Sequence, residues 1–495
     1  MSPLPAGTDR MAAPAAEWAR AWIASLPGRP QAIFTRGRGE HLEHLAETGA
    51  CVVTWTLGAP PQERRGRIVM TSLAERYESL ARRILTFGLE AYRACPPDAG
   101  LRDAPPAAAM DRVLGEARRA ALLEAGTRAT LAPIWFDNLE RNLPRLLAGV
   151  WARDLAGAAR RLPVLVVGAG PSLEGFLRQA RDVRETALVL AASSALGPLR
   201  AAGVRPDAAV VIEGRDCSRH FEGIPREWLA SMTLFAESNT NPAHLSLPWG
   251  SVAFFHGPTG AWLEPWTGAG TLVPTGGNVG TAALVLGWLL GGDPVLMAGL
   301  DFAAPGGRYY APGSGSQRPG GAPEPSLRAE GWDGSPLETT PELDAYRRAT
   351  EQAVATIRSR DPRARFLCAA GAARIEGVDR VDWARWAAGR PRLAARPRLG
   401  APARRAARTP AFPAPPDLRD RVRRYAEDPA GPLAALALAE PPETTLSLLA
   451  AVELGRRDGP PGPDRQREAL QAAARRWREM AARAAAWSRW LDRPA

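Results

Sequence analysis

The stretch Leu162–Leu173, LPVLVVGAGPSL, is the best equipped for chemistry in this chain. Val164 to Val167 form an unbroken apolar run, the pattern of a strand buried on both faces. Gly168-Ala169-Gly170 then lets the backbone turn sharply and a ligand come close, and Pro171 suits the first turn of a helix. The backbone amides of Ser172 and Leu173, with the Ser172 hydroxyl, are expected to face whatever lies above the strand. A helix N-terminus carries about half a positive charge, so a phosphate suits it. The spacing is not G-x-G-x-x-G, because Leu173 stands at the third glycine's place. A dinucleotide site is therefore not implied, and a tight turn without a ligand is the plain alternative.

A second glycine turn, Thr275-Gly276-Gly277-Asn278, opens a helix over Val279–Leu290. Between and beyond the two turns, Ser193, Ser194, Glu213, Glu237, His256 and Asp301 all stand where an apolar run ends. In doubly wound sheets ligands bind outside the carboxyl ends of the strands, so this concentration is the main functional signal. Each residue also has a plainer reading: Glu213 and Asp301 suit local caps and turns, Ser193 and Ser194 can close a turn, and His256 can be a structural hydrogen-bonder. Tyr309 and Tyr310 lie in a Gly/Pro-rich loop, Ala304–Leu337, long enough to be a lid or an acceptor-binding loop; packing is their alternative. The Ser172 hydroxyl, the amides of both turns and a tyrosine hydroxyl could stabilise a departing phosphate without a metal. No metal-ligand set is expected.

These residues need a scaffold. Residues 161–383 alternate strand and helix, which predicts an α/β fold with a Rossmann-like, doubly wound parallel sheet. Residues 1–105 read as a small N-terminal α/β domain, with β-prone runs at Gln31–Thr35, Cys51–Thr56 and Arg67–Met70 and a helical pattern through Leu73–Tyr92. Residues 106–160 form a helical connector, helical from Met110 to about Leu155 and without visible chemistry. Residues 384–416 read as an Arg/Pro/Ala-rich solvated linker. Residues 417–495 read as a C-terminal helical domain, with Trp477, Trp487 and Trp490 packing on the body of the protein.

Composition narrows the functional classes. All 63 basic residues are arginine, so no Walker A lysine, Schiff-base lysine or lysine general base is available. The formal charge of +11 is concentrated in the linker, so nucleic-acid binding is not expected. The four cysteines show no C-x-x-C spacing, and the five histidines do not cluster at metal-ligand intervals. The longest apolar run, Ala282–Leu300, is broken by Gly291, Gly292, Asp293 and Pro294, so it reads as helix, turn and strand. The N-terminus lacks a secretory pattern. A cytoplasmic protein without a membrane span is the expectation, with homo-oligomerisation left open.

The segments V-V-G-A-G-P-S-L, A-A-G-V-R-P-D-A-A-V-V-I-E, G-G-N-V-G-T-A-A-L and A-G-L-D-F-A resemble the bacterial motility accessory factor proteins. These are flagellin glycosyltransferases whose central domain is related to archaeal 6-hydroxymethylpterin diphosphokinase and looks like the sialyltransferases that use a CMP-activated sugar. The resemblance covers about Trp135 to Trp383, including W-F-D-N-L-E-R-N-L-P. It implies transfer of a nonulosonic acid, of pseudaminic or legionaminic type, from CMP to Ser or Thr of flagellin. By that similarity Gly168, Gly170, Pro171, Ser172 and Leu173 hold the nucleotide phosphate. Thr275, Gly276, Gly277 and Asn278 contact the nucleotide, and Tyr309 or Tyr310 bonds the leaving phosphate. Ser193 and Ser194 are further nucleotide-binding candidates.

One departure matters. The related sialyltransferases use a histidine base downstream of the tyrosines, and this chain has no histidine after His256. The base is open among Asp301, Asp333, Glu338 and Glu213, with Asp301 first because it ends a strand beside the nucleotide turn. The implied partners are a nucleotide sugar and a protein acceptor, with no cofactor required. Two other readings stand beside this one: an ATP-Mg²⁺ diphosphokinase-like transferase and a non-catalytic nucleotide-binding scaffold.

Overall fold

The computed structural model describes residues 15–399, apart from 27–29, 31, 58–62, 87–90, 97–103, 258–271, 318–325, 394–395 and 398. These residues fall into two compact units, one reaching Phe136 and the other beginning at Asp137. The first contains α1 (Ala15–Ala24), β1 (Ala32–Arg36), α2 (His41–Glu47), β2 (Cys51–Trp55), β3 (Glu63–Arg65), β4 (Ile68–Thr71), α3 (Ala74–Thr86) and β5 (Ala91–Arg93). Its sheet has the order β3-β4-β2-β1-β5, parallel except for β3 against β4. The helix expected through Leu73–Tyr92 is shorter than that. Ala91–Arg93 pairs with β1, and the Ala94 amide donates to the Phe34 carbonyl at 2.8 Å. Pairing with a distant strand outweighs the local helical pattern here.

The unit boundary falls inside α4 (Ala107–Ala148). The helix expected to reach Leu155 stops at Ala148, and the chain continues at once as β6 (Val150–Trp151). Gly149 makes the exit: a Cβ there would stand 2.5 Å from the Arg145 carbonyl oxygen. Then follow β7 (Val164–Val167), α5 (Ser172–Gln179), α6 (Val183–Thr186), β8 (Leu188–Ala192), α7 (Leu196–Ala201), β9 (Ala208–Val211), α8 (Arg226–Ser231), β10 (Thr233–Glu237), α9 (Pro242–Leu245) and β11 (Ser251–Phe255). The second half holds α10 (Val279–Leu289), β12 (Val295–Ala298), β13 (Leu327–Glu330), β14 (Pro336–Thr339), α11 (Pro341–Arg360), β15 (Phe366–Ala370), β16 (Asp379–Arg380) and α12 (Trp383–Ala388).

Among the described residues these strands form one parallel sheet, ordered β16-β15-β12-β7-β8-β9-β10-β11-β6, with β13 and β14 as a separate hairpin. β7, β8, β9 and β12 are short apolar runs buried along their whole length, as a sheet covered on both faces requires. α10 is apolar nearly all round and buried from Gly280 to Gly287, packed on β7, β8 and β9. From β7 the chain winds outward through β8 to β11, then returns to place β12 on the other side of β7. The strand order therefore reverses between β7 and β12, the position at which such sheets bind ligands.

Two further expectations are corrected. The loop at 304–337 contains the β13 strand and the start of β14, turned by Gly334 at φ +81° and by Asp333, whose Oδ1 accepts from the Ser335 amide at 3.0 Å. The arginine-rich stretch does not begin as a solvated linker. The Leu393 amide donates to the Glu185 carbonyl at 2.7 Å, and Arg396 Nε donates to Asp207 Oδ1 at 2.8 Å. Arg396 also bonds the Ala187 carbonyl at 3.0 Å, and the Leu399 carbonyl accepts from the hydroxyls of Thr233 and Ser251. Leu393, Arg396 and Leu399 thus strap the amino ends of β8, β9, β10 and β11, where backbone carbonyls, the Asp207 carboxylate and the hydroxyls of Thr233 and Ser251 need partners. The rest of that stretch and the helical region expected at 417–495, with its three tryptophans, lie outside the described residues. No described helix is long and apolar enough to cross a membrane.

Candidate functional site

The loops leaving β7 and β12 cross backbone to backbone. The Gly168 amide donates to the Ala298 carbonyl at 2.8 Å, and the Gly170 amide to the Gly299 carbonyl at 2.8 Å. Gly299 takes φ +73°, and a Cβ on it would lie 2.5 Å from the Gly168 carbonyl oxygen. That crossing carries Asp301 to the start of α5. Its Oδ2 accepts from the Ser172 amide at 3.1 Å and from the Ser172 hydroxyl at 3.0 Å. A Cβ on Gly170 would collide with the same oxygen. The Leu173 amide, also expected to face a ligand, bonds the Gly170 carbonyl at 3.1 Å.

Ser172 already donates twice to the chain's own carboxylate, and Asp301, ranked first as a base, serves as the cap of α5. Asp301 is 4% exposed. Burial raises its pKa, opposed by the Ser172 amide and hydroxyl, the Ala372 backbone and Arg380.

Leu300 links the first turn to the helix that the second turn opens, lying against both Gly168 and Gly280 in α10. Asn278 is the N-cap of α10: its Oδ1 accepts from the Thr281 amide at 2.9 Å and its Nδ2 donates to the Thr281 hydroxyl at 2.7 Å. Both polar atoms of that side chain thus serve the cap. Thr275 Oγ1 accepts from the Gly277 amide at 3.3 Å. Gly276 and Gly277 take φ +56° and +77° beneath α11, where a Cβ on Gly276 would collide with that of Ala349 and one on Gly277 would stand 3.3 Å from the Tyr346 ring.

Around this centre the other strand ends contribute polar groups. Glu213 Oε1 accepts from the Arg215 amide at 3.1 Å, a local turn bond, while the side chain stays half-buried. Glu237 is buried at the end of β10; burial and repulsion from Glu213 push its pKa up to about 8. Ser193 Oγ lies 3.0 Å from His220 Nδ1, and His220 Nε2 lies 3.2 Å from Ser316 Oγ. Ser194 offers its carbonyl to Ser314 Oγ at 3.0 Å. The Ala311 amide donates to the Ala169 carbonyl at 2.8 Å, so the segment carrying Tyr309 and Tyr310 is tied to the first glycine turn and to the end of β8. Tyr310 is 39% exposed. Desolvation and the Glu338 carboxylate raise the Tyr309 phenol above its ordinary range. Asp333 is a turn residue whose Oδ1 accepts from the Ser335 amide and hydroxyl.

His256 proves structural. Its Nδ1 lies 3.1 Å from Ser238 Oγ, its ring packs on Trp151, and burial lowers its pKa to about 3. Cys217 and His244 resemble a nucleophilic pair, with Sγ 3.5 Å from Nε2. However, Nε2 accepts the Cys217 amide at 3.0 Å, and burial, followed by Glu213 and Asp216, pushes the thiol up to about 12. The thiolate that nucleophilic chemistry requires is therefore scarce at neutral pH.

Sequence reasoning missed four residues. Asn138 donates to the carbonyls of Gly214 and Asn239, at 2.8 and 3.0 Å. Asn142 donates to those of Ser238 and Thr240, at 3.1 and 2.7 Å. Together they hold the loops after β9 and β10, and their i, i+4 spacing was the available signal. His220 precedes the tyrosines in the chain, so a search downstream of them could not find it. Tyr346 lies on α11 against Gly277, its hydroxyl donating to Glu342 Oε1 at 2.5 Å; burial and the nearby carboxylates raise its phenol strongly. Among the described residues no three His, Cys, Asp or Glu groups converge as a metal site would need.

The fold and site together define an α/β protein with a candidate crevice where a parallel sheet reverses its strand order. Residues 137–307 match the family described as 6-hydroxymethylpterin diphosphokinase MptE-like. The fold is shared with a solved MAf glycosyltransferase from Magnetospirillum magneticum AMB-1, with a TM-score of 0.56 and 15% identity over 97% of this chain and 84% of that one. No curated protein matches. Both findings agree with the resemblance drawn from the motifs, in its MptE-like central domain and in a fold shared with a MAf glycosyltransferase.

Proposed function

We propose that this chain is a glycosyltransferase using a nucleotide-activated sugar, and that it moves a nonulosonic acid from a CMP donor to Ser or Thr of flagellin in the cytoplasm. The observation that supports this reading is the meeting on Leu300 of the first glycine turn and the helix opened by the second, at the strand-order reversal, in a fold shared with a MAf glycosyltransferase. In this reading the donor phosphate is held at the Gly168–Ser172 turn, the amides of the second turn border the nucleotide, and a hydroxyl of Tyr309 or Tyr310 bonds the leaving phosphate. Removing one such donor would raise the barrier by about 3–4 kcal/mol. Glu213 takes over from Asp301 as the candidate base, because it is half-buried and within electrostatic range of Tyr346. A base in that role contributes on the order of 10²–10⁴-fold. The reading needs no metal.

Calorimetric titration with CMP, CDP, ATP and GTP, with and without Mg²⁺, tests it. Metal-independent CMP binding is the expected result, with Glu213→Gln keeping CMP affinity and losing transfer. The MptE-like match over residues 137–307 favours a second reading, pyrophosphate transfer from ATP to a pterin; strict Mg²⁺ dependence and ATP preference would select it. No nucleotide binding would overturn both.

A further inference from the structure

We propose that Asp301 is a built-in competitor for the anion position of the first glycine turn, so that a phosphate engages Ser172 only after the Asp301 carboxylate has swung away. The two Ser172 donors that suit a phosphate oxygen, the amide and the hydroxyl, are both taken by the single oxygen Oδ2, at 3.1 and 3.0 Å. Gly170 shapes the seat, since any Cβ there would meet that oxygen. A carboxylate at a helix N-terminus satisfies the same donors and the same partial charge as a phosphate. The two are therefore mutually exclusive at Ser172.

The seat is also a poor one for its occupant. Asp301 Oδ1 is buried and, unlike Oδ2, makes no hydrogen bond of full geometry, the Ala372 backbone supplying only a weak contact to the carboxyl, and a buried polar atom so poorly partnered is unfavourable. Burial raises the pKa of the group, so a neutral or departed carboxylate is disfavoured less than usual. Arg380 on β16 acts electrostatically on Asp301 and lies over the Trp332 ring at 5.6 Å. A carboxylate leaving Ser172 thus has a cation within electrostatic range. The Ala311–Ala169 bond ties the tyrosine segment to the same turn, so the exchange would be sensed where the leaving group is held.

The inference rests on the reading that a nucleotide phosphate binds at this turn, and two measurements separate them. Equilibrium dialysis of labelled sulfate against the full chain probes the anion position without any base or sugar. Asp301→Asn, folded by circular dichroism, is expected to bind sulfate at least tenfold more tightly than the unaltered chain, and Ser172→Ala in the same variant to remove the gain. CMP affinity should rise alongside, and cytidine affinity should not. Unchanged sulfate affinity in Asp301→Asn overturns the inference. A sulfate gain without any CMP binding keeps the competitor and discards the CMP reading. CMP binding without either gain does the reverse. If the variant does not fold, a crystal structure of the unaltered chain with CMP decides. Phosphate on Ser172 with Asp301 displaced supports the inference, and phosphate elsewhere with Asp301 still on Ser172 overturns it.

Discussion

Gly168 and Gly299 meet with no side chain between them: a Cβ on Gly168 would stand 2.5 Å from the Gly299 carbonyl oxygen, and one on Gly299 equally close to the Gly168 carbonyl oxygen. Two loops from adjacent parallel strands can cross this closely only on glycine. Gly299→Ala is therefore expected to destabilise the fold by about 3 kcal/mol or more, from backbone strain and overpacking together. Gly203 supplies the control, since it has φ +72° but open space around it. Gly203→Ala should lose about 1–2 kcal/mol, the strain alone. Urea unfolding of the two variants checks the difference, and equal losses would mean that the close approach contributes nothing.

Asn142 is a second point at which one residue fixes a loop at the strand ends. Its amide serves the Ser238 and Thr240 carbonyls, which flank the loop after β10. Asn142→Ala should destabilise by about 2–4 kcal/mol, since two buried acceptors lose their donor. Asn142→Asp should be no better, because a carboxylate brings acceptors to acceptors. Amide exchange in residues 238–241 should speed up well before global unfolding. If protection there is unchanged in Asn142→Ala, the helix does not hold the loop.

Much of the parallel sheet was legible because each strand is a short apolar run closed by turn residues, as Val164–Val167 before Gly168 shows. Both glycine turns were legible for the same local reason. The bond between Ser172 and Asp301 was not, because it spans 129 positions and depends on β12 returning beside β7, which no local pattern encodes. The consequence was specific: the Ser172 amide and hydroxyl, expected to face a phosphate, were found to hold a carboxylate. His220 and Tyr346 were missed similarly, each brought to the strand ends by topology. The strap made by Leu393, Arg396 and Leu399 was misread because Arg396 looks like part of a solvated run unless its partner Asp207 is known to lie at the amino end of β9.

That strap makes its own prediction. Arg396 bonds Asp207 together with the carbonyls of Arg184 and Ala187, with both charged side chains mostly buried. Arg396→Ala leaves Asp207 with Arg184 and the Val189 amide. A loss of about 1–3 kcal/mol is expected. Because the pair is largely shielded from solvent, the loss should persist at high ionic strength. A loss that vanishes in 1 M salt would show that the arginine acts as a surface charge only.

The pH dependence of stability follows from groups pulling in opposite directions. Burial lowers His220 to about 4 and His256 to about 3, against an ordinary 6.5. Below about pH 6.5 the unfolded chain binds protons there that the folded chain refuses, so stability climbs with rising pH until the ordinary histidine pKa is passed. Glu237 works the other way. Its folded pKa of about 8, against 4.5, means that the folded chain keeps a proton across that window which the unfolded chain gives up. Stability therefore falls as pH rises through it, by about 1.4 kcal/mol per pH unit at most. Between pH 4.5 and 6.5 two histidines outweigh one carboxyl, and above 6.5 the carboxyl acts without them. Stability should peak near pH 6.5 and decline towards pH 8. Urea midpoints measured from pH 5 to 9 check this. Glu237→Gln should abolish the decline above pH 6.5, and His256→Gln should shallow the climb below it. If the unaltered chain and Glu237→Gln give superimposable profiles, Glu237 is ionised in the folded state, and its buried, protonated carboxyl at the end of β10 is refuted.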